Sequence, residues 1–378
     1  MNILYLGDPN SFHDLQWISY FSQSNSNRCY FLCLKHQLRC QSEQNLETID
    51  VQLIGSITNF SISRFWVTLA EFRKIKNVLR KHDIDIIHVL FAEPNSLWAI
   101  GRGFLEKPFI VTTRGTDVLV TISRLFDNRS LVNSVVKRLY LHAFSKIDAI
   151  TCTSTRQVNV VINKLESSVK PQVVRTGVDI NAFQENTLHS VDEIGDQPYL
   201  LFPRNMKPIY NHEFSLEAIS KLPNDYLRRF KFVFVNKDSS DKAYVAQIEA
   251  QMNHIGRDSF VFMNSVPQSL LFSLYEKAAI IVMTPISDGS PVTAMEAMYA
   301  GRPLILPPLN YDEDLFGQVP YKLTRWDTAE LANCMVQLLS NPIDEKRMKL
   351  GKSCIEQKAN RQIEMNKVHA IYTLLISQ

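Results

Sequence analysis

Residues 287–306, SDGSPVTAMEAMYAGRPLIL, carry two acids, Asp288 and Glu296, with seven residues between them that begin Gly289, Ser290, Pro291, Val292. Carboxylates accept hydrogen bonds from hydroxyls, so this pair suits one acid meeting a sugar and the other a ribose. The intervening residues predict how the acids are held. Ser290 is a helix N-cap by type, and Pro291 suits the first helical position, where its missing N–H costs nothing. Val292 to Tyr299 then continue as a helix of about two to three turns. Gly301 fits the left-handed residue past its end, and Pro303 blocks continuation. Such a helix start offers unpaired N–H groups and the positive end of the dipole, with Gly289 leaving room beside them, so a phosphate is the expected guest. An ordinary capped helix with two solvated acids is the alternative reading of the same residues.

The hydrophobic pattern supplies the scaffold that must position these groups. Apolar runs at 2–6, 29–34, 50–54, 85–90, 109–113, 148–153 and 172–175 alternate with helical patterns, and runs at 199–203, 230–236, 259–263, 279–284 and 303–306 do the same. Such alternation predicts α/β architecture with doubly wound parallel sheets, whose ligands gather at the carboxyl ends of strands. Residues 287–306 follow one such end. Gly7 to Ser11 follow another, where Asn10 or Ser11 can cap the next helix; Thr112 to Asp117 follow a third, and Arg204 and Lys207 a fourth. At 378 residues the chain exceeds the ~250–300 at which single cores stop growing, so two domains are expected. The polar stretch 184–197 reads as the linker, and beyond Trp326 the pattern is helical over 329–339 and from Asp344 to Ser377.

Composition narrows the class. A content of 45% hydrophobic and 21% charged residues is ordinary for a globular chain, and a net charge of +3 gives no support to bulk nucleic-acid binding. No run approaches the ~18 apolar residues of a membrane span, and the opening MNILYLGDPNS has no basic leader, so a cytoplasmic protein is expected. The six cysteines show no disulfide framework. Cys29, Cys33, His36 and Cys40 are close enough to raise a zinc site, against which reduced thiols in a buried strand are the favoured reading. Basic charge concentrates in 63–82, where Phe65, Leu69, Phe72, Ile75, Val78 and Leu79 form one helical face and Arg64, Arg73, Lys74, Lys76, Arg80 and Lys81 lie elsewhere. It concentrates again in 124–146, with Arg129, Lys137 and Arg138. Such helices either lie on an anionic membrane or pack one face on a sheet and solvate their charges.

Asp288, Gly289, Ser290, Pro291, Glu296, Ala297, Met298, Ala300, Gly301 and Pro303 together resemble the E-x7-E segment of glycosyltransferase family 4, retaining GT-B enzymes that use nucleotide sugars. The resemblance implies two Rossmann-like domains facing across a cleft. Residues 1–190 would bind the acceptor, 191–357 the nucleotide sugar, and a helix over 358–378 would cross back to the first domain. By the same resemblance Asp288, one methylene shorter than the family's Glu, meets the donor sugar, Glu296 meets the ribose, and the backbone amides from Gly289 to Val292 face sugar and diphosphate. Arg204 stands where the family neutralises the diphosphate. Lys207 is shifted from the usual Arg-x4-Lys register, which falls on Ile209, and Tyr210-Asn211 replace Lys-Gly. Arg114 replaces a histidine; it cannot act as a base, but its fork holds phosphate or carboxylate. Asp117 would orient Arg114 or accept from an acceptor hydroxyl, unless Gly115 and Asp117 simply shape the turn. Gly7 lies where a glycine-rich turn approaches donor and acceptor, and 264–267 where backbone atoms meet the nucleobase. Thr176-Gly177-Val178-Asp179 resembles the segment that closes the first domain, with Thr176 in place of Asn.

The function so implied is transfer of a sugar from a nucleotide diphosphate sugar to a hydroxyl of a saccharide or lipid-linked acceptor, with retention, in surface polysaccharide or glycoconjugate synthesis. No metal and no cofactor beyond the donor substrate is implied, and the partners are donor, acceptor and the anionic inner face of the cytoplasmic membrane. Asp83-Ile84-Asp85 and Asp312-Glu313-Asp314 match a D-x-D metal pattern away from the family's sites and read as solvated acids. One alternative is a non-catalytic GT-B paralogue that binds nucleotide or glycan as a partner subunit, favoured by the departures at Arg114 and Asp288. Another is a different GT-B enzyme, an epimerase or a sugar phosphorylase.

Overall fold

The computed structural model describes the chain apart from residues 25, 128–129, 186–193, 237–240, 265 and 378. It divides into two compact units, residues 1–176 with 363–378, and residues 177–362. The division thus falls at Thr176/Gly177 and Gln362/Ile363, where the sequence suggests 190/191 and 357/358. Most of the 184–197 linker stretch lies outside the described residues, as do Arg129 and the Ser265 of 264–267.

In the first unit seven parallel strands, β1 (Asn2–Gly7), β2 (Arg28–Leu34), β3 (Val51–Ile57), β4 (Ile86–Val89), β5 (Phe109–Thr113), β6 (Ala149–Cys152) and β7 (Gln172–Val173), lie in the order β3-β2-β1-β4-β5-β6-β7. In the second, β8 (Tyr199–Phe202), β9 (Lys231–Asn236), β10 (Phe260–Asn264), β11 (Ile280–Val282), β12 (Leu304–Leu306) and β13 (Tyr321–Lys322) lie in the order β10-β9-β8-β11-β12-β13. Helices cover both faces of such sheets, which is why the central strands are near-continuous apolar runs: Ile3, Leu4, Tyr5, Ile86, Ile87, Leu200, Leu201, Ile280 and Ile281 are all fully buried. The chain reverses its winding between β1 and β4 and between β8 and β11, and the carboxyl ends at these two switch points are where ligands of such sheets bind.

Three local expectations are corrected. The helical stretch from Asp344 to Ser377 is two helices, Glu345–Lys358 and Arg361–Ile376. The break is a strand-like exchange in which Val178 N–H donates to Ala359 O at 2.8 Å and Arg361 N–H to Val178 O at 3.0 Å. Gly177 makes that approach possible, since its φ is +72° and a Cβ there would lie 2.8 Å from the Arg361 backbone. The helix Phe65–Lys81 buries Thr68, Glu71, Ile75 and Leu79, but Phe65, placed on the apolar face by periodicity, is 59% exposed. Asp312, read as solvated, is buried before the short helix Glu313–Phe316.

The helix Arg361–Ile376 packs Met365, Val368, Ile371 and Tyr372 into the core that holds Tyr5 and Trp17. Its Tyr372 hydroxyl lies 3.3 Å from the Tyr5 hydroxyl and 2.5 Å from His88 Nδ1; His88 Nε2 meets Thr112 Oγ1 at 2.7 Å, and Thr112 meets Thr151 at 2.6 Å. This buried chain spans β1, β4, β5 and β6 and ties the last helix to the first sheet. Burial, helped by the Arg114 charge, pushes His88 down to about 3, so the imidazole is neutral. Cys29 and Cys33 are buried in β2, where burial raises them to about 12 and about 11, and Cys40 is exposed. Among the described residues no group of three or more His, Cys, Asp or Glu is placed to hold a metal, so Cys29, Cys33, His36 and Cys40 form no zinc site.

Candidate functional site

The second unit gathers its charged groups at the β8/β11 switch point. Arg204 follows β8 and Asp288 follows β11, and the Arg204 Nη2 lies 3.1 Å from Asp288 Oδ2, with both side chains 16% exposed. Arg204 Nη1 donates to Thr293 Oγ1 at 2.7 Å, the guanidinium lies 4.0 Å from the centre of the Tyr210 ring, and the buried Nε has no hydrogen-bond partner. Asp288 Oδ1 accepts the Gly289 N–H at 2.9 Å. Burial holds the Asp288 carboxyl above the usual carboxylate range, opposed first by Arg204 and then by that N–H.

The helix beside this pair runs Val292–Tyr299 with Pro291, not Ser290, as N-cap and no side-chain cap. The reason is register: Pro291 has the extended φ and ψ of −70° and 128°, so the helix starts one residue later than Ser290 as cap would require. Ser290 Oγ is left buried without a hydrogen-bond partner, and so is the hydroxyl of Tyr311, raised by burial and then by the Asp288 charge. Among the described residues Arg204 Nε, Ser290 Oγ and Tyr311 OH are thus without a hydrogen-bond partner; Arg204 belongs to the ion pair, Ser290 follows Asp288 by two residues, and the charges of the pair act on Tyr311. Unpaired buried polar atoms cost about 1–3 kcal/mol each, a cost a polar ligand would relieve.

Glu296, on the same helix, is buried. Its Oε1 accepts from Gln268 Nε2 at 3.2 Å, and its charge acts on Tyr275 and on Arg361. Arg361 Nη1 also pairs with Asp179 Oδ2 at 3.1 Å. A carboxylate fixed in this way presents a set geometry to hydroxyl donors. Lys207 is exposed and its ammonium has no partner among the described residues, and Ile209, in the Arg-x4-Lys register, is 41% exposed. Asn211 adopts φ 51° and ψ 52°, the left-handed region, which asparagine enters more readily than most non-glycine residues.

At the first unit's switch point Gly7 ends β1. A Cβ on Gly7 would lie 2.7 Å from Asp14 Oδ2, so the glycine makes room for a carboxylate of its own chain. Asp14 sits in the first turn of the helix Phe12–Ser22, whose N-cap is Ser11. It accepts the Asp8 N–H at 3.0 Å and lies 3.5 Å from Arg114 Nη2; burial raises it to about 6 while Arg114 opposes. Arg114 is buried over the Trp17 ring, donates from Nε to Leu90 O at 3.1 Å and from Nη1 to Thr176 Oγ1 at 3.4 Å. Asp117 corrects an expectation. It is wholly buried and accepts backbone N–H groups of Ala92, Arg114, Gly115 and Val118 at 2.8–3.1 Å, so it shapes the turn and acts on the Arg114 guanidinium through its charge, with no side-chain hydrogen bond to it among the described residues. Sequence reasoning also misses Asp14, Trp17, Thr293, Tyr311, Gln268 and Arg361. The signal for Asp14 is a first-turn acid beside a strand-end arginine; Trp17 and Thr293 lie near it and Asp288 in sequence but read as an ordinary apolar and an ordinary helical residue, and Tyr311, Gln268 and Arg361 come from other segments that leave no spacing to read.

Residues 24–182 match the family model Glycosyltransferase Family 4, and residues 197–341 match Glycosyl transferases group 1. An uncharacterized glycosyltransferase of Methanocaldococcus jannaschii is 22% identical over 275 residues, 70% of this chain and 68% of the relative. Among solved structures, a glycosyltransferase from Rickettsia africae matches 99% of this chain and 98% of its own with a TM-score of 0.78 at 14% identity. HepE of Anabaena, in complex with UDP, matches 99% and 100% with a TM-score of 0.76 at 15% identity. With both segments matched and the GT-B fold present in both units, the chain belongs to the glycosyltransferases of the family-4 type.

Proposed function

We propose that this glycosyltransferase moves a sugar from a nucleotide diphosphate sugar to a hydroxyl of a saccharide or lipid-linked acceptor, with retention at the anomeric carbon and without a metal or further cofactor. The observation that carries the reading is the Arg204–Asp288 pair at the β8/β11 switch point, bordered by the unpaired Ser290 hydroxyl and the start of the helix Val292–Tyr299. In this reading the departing diphosphate gathers negative charge beside Arg204 and the helix start, both fixed before reaction, which is electrostatic stabilisation without reorganisation. Asp288 accepts from sugar hydroxyls and Glu296 from the ribose. Lys207, exposed on the Arg204 loop, adds a second cation toward the diphosphate. The UDP complex of the similarly folded HepE supports a nucleotide donor and makes UDP the first base to test.

The test is nucleoside diphosphate release from UDP-, GDP- and ADP-sugars with and without saccharide or lipid-linked acceptors. Release that requires an acceptor, with a product of unchanged anomeric configuration by NMR, is the expected result. Release without acceptor, inversion, or donor binding with no turnover on any acceptor would replace this reading by an epimerase, an inverting enzyme or a binding paralogue respectively.

A further inference from the structure

The helix Phe65–Lys81 has an unusual outer face. Its packed side carries Thr68, Glu71, Ile75 and Leu79, and Glu71, its sole acid, is turned inward to accept the Thr58 N–H at 3.0 Å. Facing out are Arg64, Arg73, Arg80 and Lys81, all exposed, while the exposed Lys74 turns its ammonium back to donate to Ser56 O. Trp66, Ala70, Arg73, Asn77 and Arg80 follow one another at helical spacings of three and four, so they line a single stripe about 21 Å long at 1.5 Å per residue. At the head of the stripe stand four exposed apolar side chains, Ile62 at 49%, Phe65 at 59%, Trp66 at 78% and Val67 at 41%, with the two aromatic rings in edge contact at 5.5 Å. Water-exposed tryptophan beside phenylalanine and aliphatics is costly on a free surface and favourable at a lipid headgroup boundary.

We propose that this helix is a membrane-docking element: Ile62, Phe65, Trp66 and Val67 enter the headgroup boundary of an anionic bilayer, while Arg64, Arg73, Arg80 and Lys81 bind its surface charge. Charge selects lipid over a second copy of the chain, because a symmetric contact would set Arg73 and Arg80 of the stripe against their own copies with no outward acid on the helix to meet them. Aliphatic Ile62 and Val67 beside the aromatics favour hydrocarbon over the stacked bases of a nucleic acid. Each basic residue near an anionic surface strengthens binding about five-fold, so the four together suffice for reversible attachment once the aromatic tip is seated. The docking gives a lipid-linked acceptor its meeting place, and in that use it rests on the proposed transfer. The measurement itself needs neither donor nor acceptor, so transfer and docking stand or fall separately.

The test is co-sedimentation of the full chain with vesicles of phosphatidylcholine, alone or with about one-third phosphatidylglycerol. Two variants are compared with the native protein: Phe65→Ser with Trp66→Ser, and Arg73→Glu with Arg80→Glu. All four side chains are exposed, and unchanged melting temperatures would confirm that the fold is kept. The native chain should bind the anionic vesicles at least ten-fold more tightly than the neutral ones and release in about 0.5 M salt, where charges beyond a few ångströms are screened. Each variant should lose ten-fold or more, and the blue shift of tryptophan emission on binding should vanish in the Trp66 variant. Native-like binding by both variants, or no vesicle binding by the native chain, would overturn the proposal. So would a native dimer that the Phe65/Trp66 variant converts to monomer, or tighter binding to nucleic acid than to vesicles.

Discussion

Asp288→Asn separates the two jobs assigned to the Arg204–Asp288 pair. The carboxylate holds the guanidinium at 3.1 Å, a charged hydrogen bond of the kind that contributes about 1.5–3 kcal/mol. A nucleoside diphosphate that pairs with Arg204 must share that partner and also approach the negative Asp288. Asparagine keeps an oxygen for Arg204 but removes the charge, so part of that energy, about 1–2 kcal/mol, should reappear as affinity for the nucleoside diphosphate, roughly five- to thirty-fold. The complete donor behaves in the opposite way, because the sugar hydroxyls lose a charged acceptor. Its kcat/KM should fall about 100-fold or more, the scale of losing one electrostatic group from a reacting site. Titration calorimetry with UDP, GDP and ADP gives the first quantity and steady-state turnover the second. The pH dependence has a definite sign: burial raises the Asp288 carboxyl, so as pH falls through that raised value the native protein should gain diphosphate affinity relative to Asp288→Asn. Weaker diphosphate binding by the variant would place Asp288 on the nucleotide side. Unchanged binding would mean that Arg204 does not face the diphosphate.

Other perturbations test the remaining parts. Glu296→Gln should weaken nucleotide binding by about 1–3 kcal/mol in the same calorimetry without lowering the melting temperature; unaltered affinity removes Glu296 from the ribose site. Turnover should survive excess chelator, and activity lost on chelation but restored by magnesium or manganese would refute the metal-free handling of the diphosphate. Asp117→Ala strips the acceptor from four buried backbone N–H groups and should lower the melting temperature far more than Lys207→Ala, a difference that scanning calorimetry reads directly. His88 is held neutral down to about 3 in the fold but takes a proton near 6.5 when unfolded, so it removes stability as pH drops from 6.5 toward 3. Asp14, raised to about 6, does the reverse between 6 and its ordinary 3.8. Asp14→Asn should therefore steepen the acid loss of stability between about pH 6 and 4 by up to about 1.4 kcal/mol per pH unit, and an unchanged slope would mean that Asp14 ionises normally.

The sheets were legible because strands buried on both faces leave unbroken apolar runs, so twelve of thirteen strands stand within a few residues of those runs. Tyr321–Lys322 is too short to produce one. Arg204, Asp288 and Glu296 were singled out by the resemblance to the family's motifs, and the structure puts the first two after β8 and β11 and Glu296 in the second turn of the helix Val292–Tyr299. What could not be read was set by contacts distant in sequence. The break at Ala359–Asn360 answers to Gly177 and Val178, and the periodicity of 345–376 carries no sign of it. Phe65 obeys the helical period yet lies outside the packed face, since periodicity fixes a direction around a helix but not how far the supporting core extends along it.

Each strand-end arginine leaves one buried nitrogen without a hydrogen-bond partner among the described residues, Arg114 Nη2 and Arg204 Nε, and the two differ in what else surrounds them. Arg114 is 10% exposed, lies over Trp17, pairs with Asp14 and donates to Leu90 O and Thr176, contacts that are all internal to one unit and fix the ends of β1, β4 and β5. A ligand that reached it would have to compete with Asp14 inside that packing. Arg204 is also paired, but its Nε, the Ser290 hydroxyl and the Tyr311 hydroxyl remain unsatisfied around it. Buried polar atoms left unpaired are destabilising unless something completes them, and Arg114 Nη2, though without a hydrogen bond among the described residues, has the Asp14 carboxylate at 3.5 Å. In the proposed reading the same residue type at the same kind of strand end holds the architecture in the first unit, where Asp14, Leu90 O and Thr176 engage it, and meets the diphosphate in the second. Lysine at each position makes the distinction measurable: Arg204→Lys should cost diphosphate affinity at least ten-fold with little change in melting temperature, and Arg114→Lys should lower the melting temperature with little change in affinity.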